Sequence, residues 1–307
     1  MTDADTKRPI IFGEVLFDRF PDGNMVLGGA PFNVAWHLQA FGQAPVFISR
    51  VGDDPLGRQI RDTMRNWGMD TGGLQMDAVH PTGTVEVSFE NQEPRYDIVD
   101  NRAYDFVSGE AFPALANVSL VYHGSLALRS EVAYRAFQKL TTAVSAPRFL
   151  DVNLRAPWWQ PRGILDLIAH AAWVKLNAQE LALLAPGGDA SSEAAAALRH
   201  RHGLRAVILT RGAEGAHALT PDASINVASA PAETVVDTVG AGDAFASVAL
   251  LGLLREWPLE TTLQRAQAFA SAIVGVRGAT VHDHDFYTRF ATTWGLPRPS
   301  SQTAPPL

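Results

Sequence analysis

Six short apolar runs, each followed by a stretch of helical periodicity, limit what this chain of 307 residues can fold into. The runs cover 9–12, 45–51, 118–122, 148–152, 172–176 and 205–209, and show little of the alternation of a strand with one wet face. Strands of that kind are buried on both sides, as in a parallel sheet held between helices. The helical stretches at 31–41, 56–67, 131–144, 163–170, 178–184 and 192–202 supply the covering layers. Two segments break the rhythm. Residues 16–27 contain the turn Pro21-Asp22-Gly23-Asn24, and within 82–107 the run Thr84-Val85-Glu86-Val87-Ser88-Phe89-Glu90 alternates strictly. These two segments predict a small β-layer standing off the main sheet, serving as a lid that excludes water from a site or as a clasp to a second copy. One domain is expected over 9–295, with flexible tails at 1–8 and 297–307, the latter rich in Pro and Ser.

Asp237-Thr238-Val239-Gly240-Ala241-Gly242-Asp243 leads into the unbroken apolar run Ala244-Phe245-Ala246-Ser247-Val248-Ala249-Leu250-Leu251. Glycines on either side of one alanine let the backbone turn tightly and aim its amides at one point. The apolar run predicts a buried helix beginning there, and a helix N-terminus attracts phosphate. An aspartate at that spot would repel phosphate. It makes sense where a hydroxyl must lose its proton beside a phosphoryl group in transfer. An acidic first-turn residue is also an ordinary helix start, but a cap needs neither the second glycine nor the long apolar run. The segment reads as a kinase active site.

Other polar motifs sit at the ends of strands, where open α/β sheets bind ligands. In Gly28-Gly29-Ala30-Pro31-Phe32-Asn33-Val34-Ala35 the glycines permit close backbone approach and Pro31 suits a first helical turn. Asn33 offers both donor and acceptor, as a sugar hydroxyl requires, although a plain loop-to-helix junction would look the same. Asp18, four residues after Glu14, leaves the first strand with a carboxylate able to accept from two vicinal hydroxyls. In Lys175-Leu176-Asn177-Ala178-Gln179-Glu180, Asn177 and Glu180 have the spacing of a capping box. A role for the same pair near phosphate and hydrated Mg²⁺ is compatible with it. Thr210-Arg211-Gly212-Ala213-Glu214-Gly215 reads as a turn between strands or as a nucleotide-phosphate loop, and Arg155 in Asp151-Val152-Asn153-Leu154-Arg155 as a clamp for an anionic or hydroxyl-rich group. His282-Asp283-His284-Asp285 reads as a solvated loop beyond the last helix, Arg199-His200-Arg201-His202-Gly203 as a basic helix end stopped by glycine, and Trp158-Trp159 as packing.

Composition removes several alternatives. The formal charge of −7 lacks the basic footprint of a nucleic-acid binder, and no apolar run approaches the roughly 18 residues of a membrane span. Without Cys there is no disulfide, thiolate nucleophile or zinc–thiolate site, which with a polar, acidic N-terminus fits a cytoplasmic protein. Gly-x-Ser-x-Gly, Gly-x-Gly-x-x-Gly and Gly-x4-Gly-Lys-Ser/Thr are all absent.

Together these segments resemble the ribokinase-type, or phosphofructokinase-B, family of carbohydrate kinases, from about residue 10 to 289, with the two family signatures at 28–42 and 237–250. The resemblance implies a ribokinase-like αβα sandwich with a mostly parallel central sheet and a small β-sheet lid, using ATP and Mg²⁺ to phosphorylate a sugar hydroxyl. By carry-over, Asp243 is the base and the amides of Gly240, Ala241 and Gly242 form the anion hole. Asp18, Gly29, Asn33 and Arg155 contact the sugar. Asn177 and Glu180 match the Asn-x-x-Glu element, Glu180 acting on Mg²⁺ indirectly, and Thr210, Gly212 and Gly215 match the nucleotide loop. Asp237 and the Val239 carbonyl match part of a monovalent-cation site (K⁺) of some members. Residues 28–35 with 151–155 resemble fructokinases most, although Phe32 replaces a smaller residue and is expected to narrow the pocket. Ketodeoxygluconate, ribose and nucleoside kinases of the same family, and a non-catalytic sugar or nucleotide sensor on the same fold, are the alternatives.

Overall fold

The first strand is the centre of the molecule. Ile10, Ile11 and Phe12 are fully buried, so this strand needs neighbours on both edges and cover on both faces. A computed structural model, describing residues 7–90, 93–229 and 234–297, gives it both. In chain order the strands are β1 (Arg8–Phe12), β2 (Leu16–Arg19), β3 (Met25–Gly28), β4 (Val46–Gly52), β5 (Leu74–Asp77), β6 (Gly83–Glu90), β7 (Glu93–Ile98), β8 (Val118–His123), β9 (Arg148–Asp151), β10 (Trp173–Asn177), β11 (Ala206–Thr210), β12 (Ala216–Leu219) and β13 (Ser224–Val227). The helices are α1 (Ala30–Ala40), α2 (Pro55–Asn66), α3 (Glu131–Ala143), α4 (Pro161–Ala169), α5 (Ala178–Leu184), α6 (Ser192–His202), α7 (Ala241–Leu254), α8 (Leu259–Val274) and α9 (His284–Trp294).

Nine strands form the main sheet in the order β13-β12-β11-β10-β9-β8-β1-β4-β5. It is parallel from β5 to β11, and β12 and β13 add antiparallel at one edge. The chain runs outward from β1 in both directions, so its order reverses between β1 and β8, and the C-terminal strand ends beside that reversal form a crevice. Alternate residues feed the two faces. Ile11, Phe47, Tyr122 and Phe149 pack beneath α1, α7, α8 and α9, while Ile10, Phe12, Ile48 and Val121 pack against α3. Leu150, Val174, Leu176 and Val207 continue that second face beneath α4, α5 and α6. The fold is therefore ribokinase-like, three layers deep. Among the described residues no helix is long and apolar enough to cross a membrane.

The second sheet has the order β3-β2-β6-β7, antiparallel except for the β2–β6 pair. Its inner face rests on Leu16, Val85, Ile98, Tyr104, Leu126 and Ala127, while Glu86 and Ser88 face water, as the alternation requires.

All six predicted strands and six predicted helices are present to within a few residues. Four expectations are corrected. Arg8 opens β1 instead of ending a tail, with its guanidinium on Asp70 at 2.9 Å. The layer's last strand stops at Ile98, and the chain then forms a 3-10 turn over Ala103–Phe106. The run 282–285 opens α9 and is no terminal loop: Asp283 caps the amide of Asp285, and His284 stacks on Trp67 with centroids 4.2 Å apart. Phe32 is fully buried against Trp36 and Phe47, so its ring fills the core instead of narrowing a pocket. Residues 1–6 and 298–307 of the expected tails lie outside the described residues.

Candidate active site

Two helix starts meet across 210 residues of sequence: Asn33 Nδ2 donates to Asp243 Oδ2 at 2.8 Å. Each start is set by a glycine that no other residue can replace without strain. Gly29, the N-cap of α1, has φ 109°, and a Cβ there would lie 2.7 Å from the Glu14 carbonyl. Gly240, the N-cap of α7, has φ 80°, and its Cβ would meet that of Ala279 at 2.4 Å. The first-turn amides of α7 have no intrahelical acceptor, the condition under which a helix start can take an anion. The Ala241 amide makes only a long turn bond, 3.4 Å, to the Thr238 carbonyl.

Asp243 is half-buried, with acids and cations around it. Burial lifts its pKa to about 7, the Asn33 bond opposes the rise, and Asp151 adds to it against Lys175 and Arg155. A carboxylic acid poised there is matched to proton transfer near neutrality. Glu14, just past β1, is 2% exposed with Oε2 unpartnered. Burial raises its pKa to about 7 as well.

Asp18 on β2 pairs with Val26 on β3 and turns its carboxylate toward Gly28, and burial raises it to about 6, with Arg155 opposing. Arg155 is exposed beyond β9, and its charge acts on Asp18, Tyr96 and Asp243. Tyr96 on β7 is felt by the same groups, by Asp18 and Asp237 as well as Arg155. The small sheet thus hangs Asp18 and Tyr96 beside Arg155 and Asp237.

At the ends of β10 and β11, Asn177 and Thr210 stand side by side in register. The capping box is real: Asn177 Oδ1 accepts from the Glu180 amide and Glu180 Oε2 from the Asn177 amide, both at 2.8 Å. Glu180 Oε1 also accepts from Leu154, tying α5 to the 151–155 segment. With both oxygens turned to backbone, Glu180 suits contact with Mg²⁺ through water more than direct ligation. Among the described residues no three acidic or His side chains converge on a metal position. Gly212 and Gly215, at φ 55° and 99°, bracket a 3-10 turn after Thr210, and no hydrogen bond joins this loop to Asp243 among the described residues. Asp237 accepts from the amides of Val239 and Gly278 at 3.0 and 3.1 Å, leaving its remaining lone pairs and the exposed Val239 as the cation-site candidates.

Glu14, Tyr96 and the buried pair Lys175–Asp151 are the site residues that sequence reading did not select. Tyr96 had a signal, its place in a strand with one wet face. The others look like ordinary strand residues until the strands are assembled. Two cavities of about 520 and 390 Å³ open elsewhere, flanking α3, and none of the site residues lines them.

A model of pfkB family carbohydrate kinases matches residues 1–284. The chain is 33% identical over 260 residues to a fructokinase of Klebsiella pneumoniae, covering 79% of this chain and 83% of that one. Among solved structures it is similar to a Vibrio cholerae fructokinase in its fructose-, ADP- and calcium-bound form, with TM-score 0.77, 25% identity and coverage of 90% and 96%. It is similar also to an aminoimidazole riboside kinase of Salmonella enterica complexed with aminoimidazole riboside and an ATP analogue, with TM-score 0.78, 25% identity and coverage of 93% and 99%.

Proposed function

Because the chain belongs to the pfkB family of carbohydrate kinases, and so is a sugar kinase that uses ATP, we propose that its acceptor is free D-fructose, phosphorylated on a primary hydroxyl. The observation that supports this site most is the Asn33–Asp243 bond, in which an amide suited to a hydroxyl meets, at a helix N-terminus, the carboxylate read as the base. The sugar oxygen bonds to the γ-phosphorus, the bond to ADP breaks, and the hydroxyl proton passes to Asp243. A sugar hydroxyl is too weak an acid to ionise beforehand, but in a loose transition state the proton leaves late and a carboxylate suffices.

The Gly240, Ala241 and Gly242 amides are the donors for the transferring group, acting where charge develops. Mg²⁺ would neutralise phosphate charge, held through water near Glu180 and Asn177. Thr210, Gly212 and Gly215 serve the nucleotide, and Asp18, Gly29, Asn33 and Arg155 the sugar, with the small sheet as the lid. Asp237 and the Val239 carbonyl are the K⁺ candidates. The fructokinase likeness supports fructose. The equal likeness to the riboside kinase supports a second reading, an N-riboside acceptor.

The test is ADP release with MgATP across fructose, ribose, glucose, 2-keto-3-deoxygluconate, adenosine, aminoimidazole riboside and fructose 6-phosphate. Fructose turnover is expected to dominate, and Asp243→Asn to lower kcat by about 10²–10⁴-fold with nucleotide binding kept. Turnover confined to a riboside overturns the fructose assignment. A near-normal Asp243→Asn variant overturns the base.

A further inference from the structure

Three adjacent parallel strands turn polar side chains toward the start of α7. Lys175 on β10 is in register with Asp151 on β9, and Nζ donates to Asp151 Oδ1 at 2.7 Å. From β8, the Tyr122 hydroxyl donates to the other carboxylate oxygen at 3.2 Å. Lys175 is 6% exposed and Asp151 4%. Taking two such charges out of water is costly unless they are closely paired, as these are. The ammonium points at the anion-binding turn: a Cβ built on Gly242 would lie 3.7 Å from Nζ, with nothing else within 4 Å. Among the described residues Asp151 is its one hydrogen-bond partner, although an ammonium carries three donors.

We propose that Lys175 and Asp151 are positioning residues of the reaction centre: the ammonium supports the anion hole from beneath Gly242, and Asp151 anchors it and limits its pull on Asp243. This rests on Asp243 as the base. A buried ammonium under the helix start adds fixed positive charge where the transferring phosphoryl group gathers negative charge, in a medium that screens it poorly. Alone it would shed its proton on burial or draw Asp243 into a salt bridge that spoils the base. The counter-charge prevents both. Burial pulls the ammonium toward neutrality, but Asp151, with Glu180 and Asp243 behind it, outweighs burial and holds Lys175 charged. The groups that face Asp243 are Glu14 beyond β1, Asn33 from α1, Tyr122 from β8, Asp151 from β9, Lys175 from β10 and Arg155 beyond β9. Among them Lys175 is the one buried cation.

The variants are Asp151→Asn, Lys175→Met and the double variant, read in two ways. The Asp243 carboxyl is followed by ¹³C NMR in unliganded protein carrying labelled aspartate, with Asp243→Asn assigning the signal. Turnover with MgATP and sugar gives kcat and KM separately. Asp151→Asn is expected to lower the Asp243 midpoint and Lys175→Met to raise it, each by about one unit, with the double variant between them. Both variants lacking the ammonium should lose kcat by about 10²-fold with sugar KM nearly unchanged. The double variant carries the test if a single one fails to fold, since it leaves no unpaired charge. Wild-type kcat in the double variant overturns the proposal, as do wild-type midpoints in both single variants, because a merely structural pair can be replaced without kinetic effect. Absence of sugar turnover in the wild type would instead refute the kinase substrate reading, and the titration would still decide this one.

Discussion

Replacing Glu14 by Gln isolates the cost of one buried carboxylate. Burial is the main reason that its pKa stands at about 7 instead of 4.5, with Oε2 left without a hydrogen-bond partner. The native protein therefore holds this proton more tightly than the unfolded chain does. Unfolding free energy falls as pH rises from about 4.5 to about 7, and the loss is complete above that range. At about 1.36 kcal/mol per unit, the rise from 4.5 to about 7 corresponds to about 3 kcal/mol, with no discount for solvent because Glu14 is 2% exposed. The Glu14→Gln variant keeps the shape and never ionises. Its amide brings a new unpartnered donor, a cost of about 1 kcal/mol that is the same at every pH. The offset cancels when two pH values are compared. Between about pH 5 and about pH 8.5 the stability difference, variant minus wild type, should move by about 2.5 kcal/mol in favour of the variant. Urea unfolding at the two pH values measures it. Parallel curves for the two proteins would show that the Glu14 carboxylate is solvated or paired in the native state, and the reasoning would fall.

With Asp243 raised to about 7, the proposed base is protonated in acid, so log kcat/KM for the sugar should climb with unit slope to about pH 7 and then level off. A flat profile down to the ordinary carboxylate range would contradict this. Gly240→Ala should lower both Tm and kcat: the left-handed backbone alone costs about 1–2 kcal/mol, and the added carbon meets Ala279 at 2.4 Å. Wild-type turnover in that variant would show that the turn relaxes freely. Arg129, which holds both Asp105 oxygens at 2.9 Å and the Val99 carbonyl at 2.8 Å, ties the end of β7 to the main body. Arg129→Met should cost about 3–5 kcal/mol by stranding Asp105, with much of it recovered when Asp105→Asn is added, as denaturation of single and double variants would show.

The parallel strands were legible because a strand buried on both faces must be apolar throughout, and their helices because each follows a strand. β5, β12 and β13 were not. Leu74-Gln75-Met76-Asp77 mixes polar and apolar residues at an edge, and Ala216-His217-Ala218-Leu219 gains its burial from β11 and α8 instead of its own composition. α9 was hidden behind a charged His-Asp run that proves to be its cap and first turn. In the site, the motifs that announce themselves are those where backbone must bend or a helix must begin, namely residues 28–33, 177–180 and 237–243. Lys175, Asp151 and Glu14 gave no such signal, because what each does depends on which strand lies next to it.

Asn33 and Asp243 join the two distant parts of the chain that a ribosome makes far apart in time. The central strand β1 is also among the first segments synthesised, yet its neighbour β8 emerges only after more than a hundred residues. A growing chain thus carries Asn33 for most of its synthesis before Asp243 exists to meet it. Any product truncated before α7 lacks the proposed base and the proposed phosphate-binding turn together, so it would not spend ATP on a half-built site. On this reading, phosphoryl transfer by this protein reports that translation has run past α7.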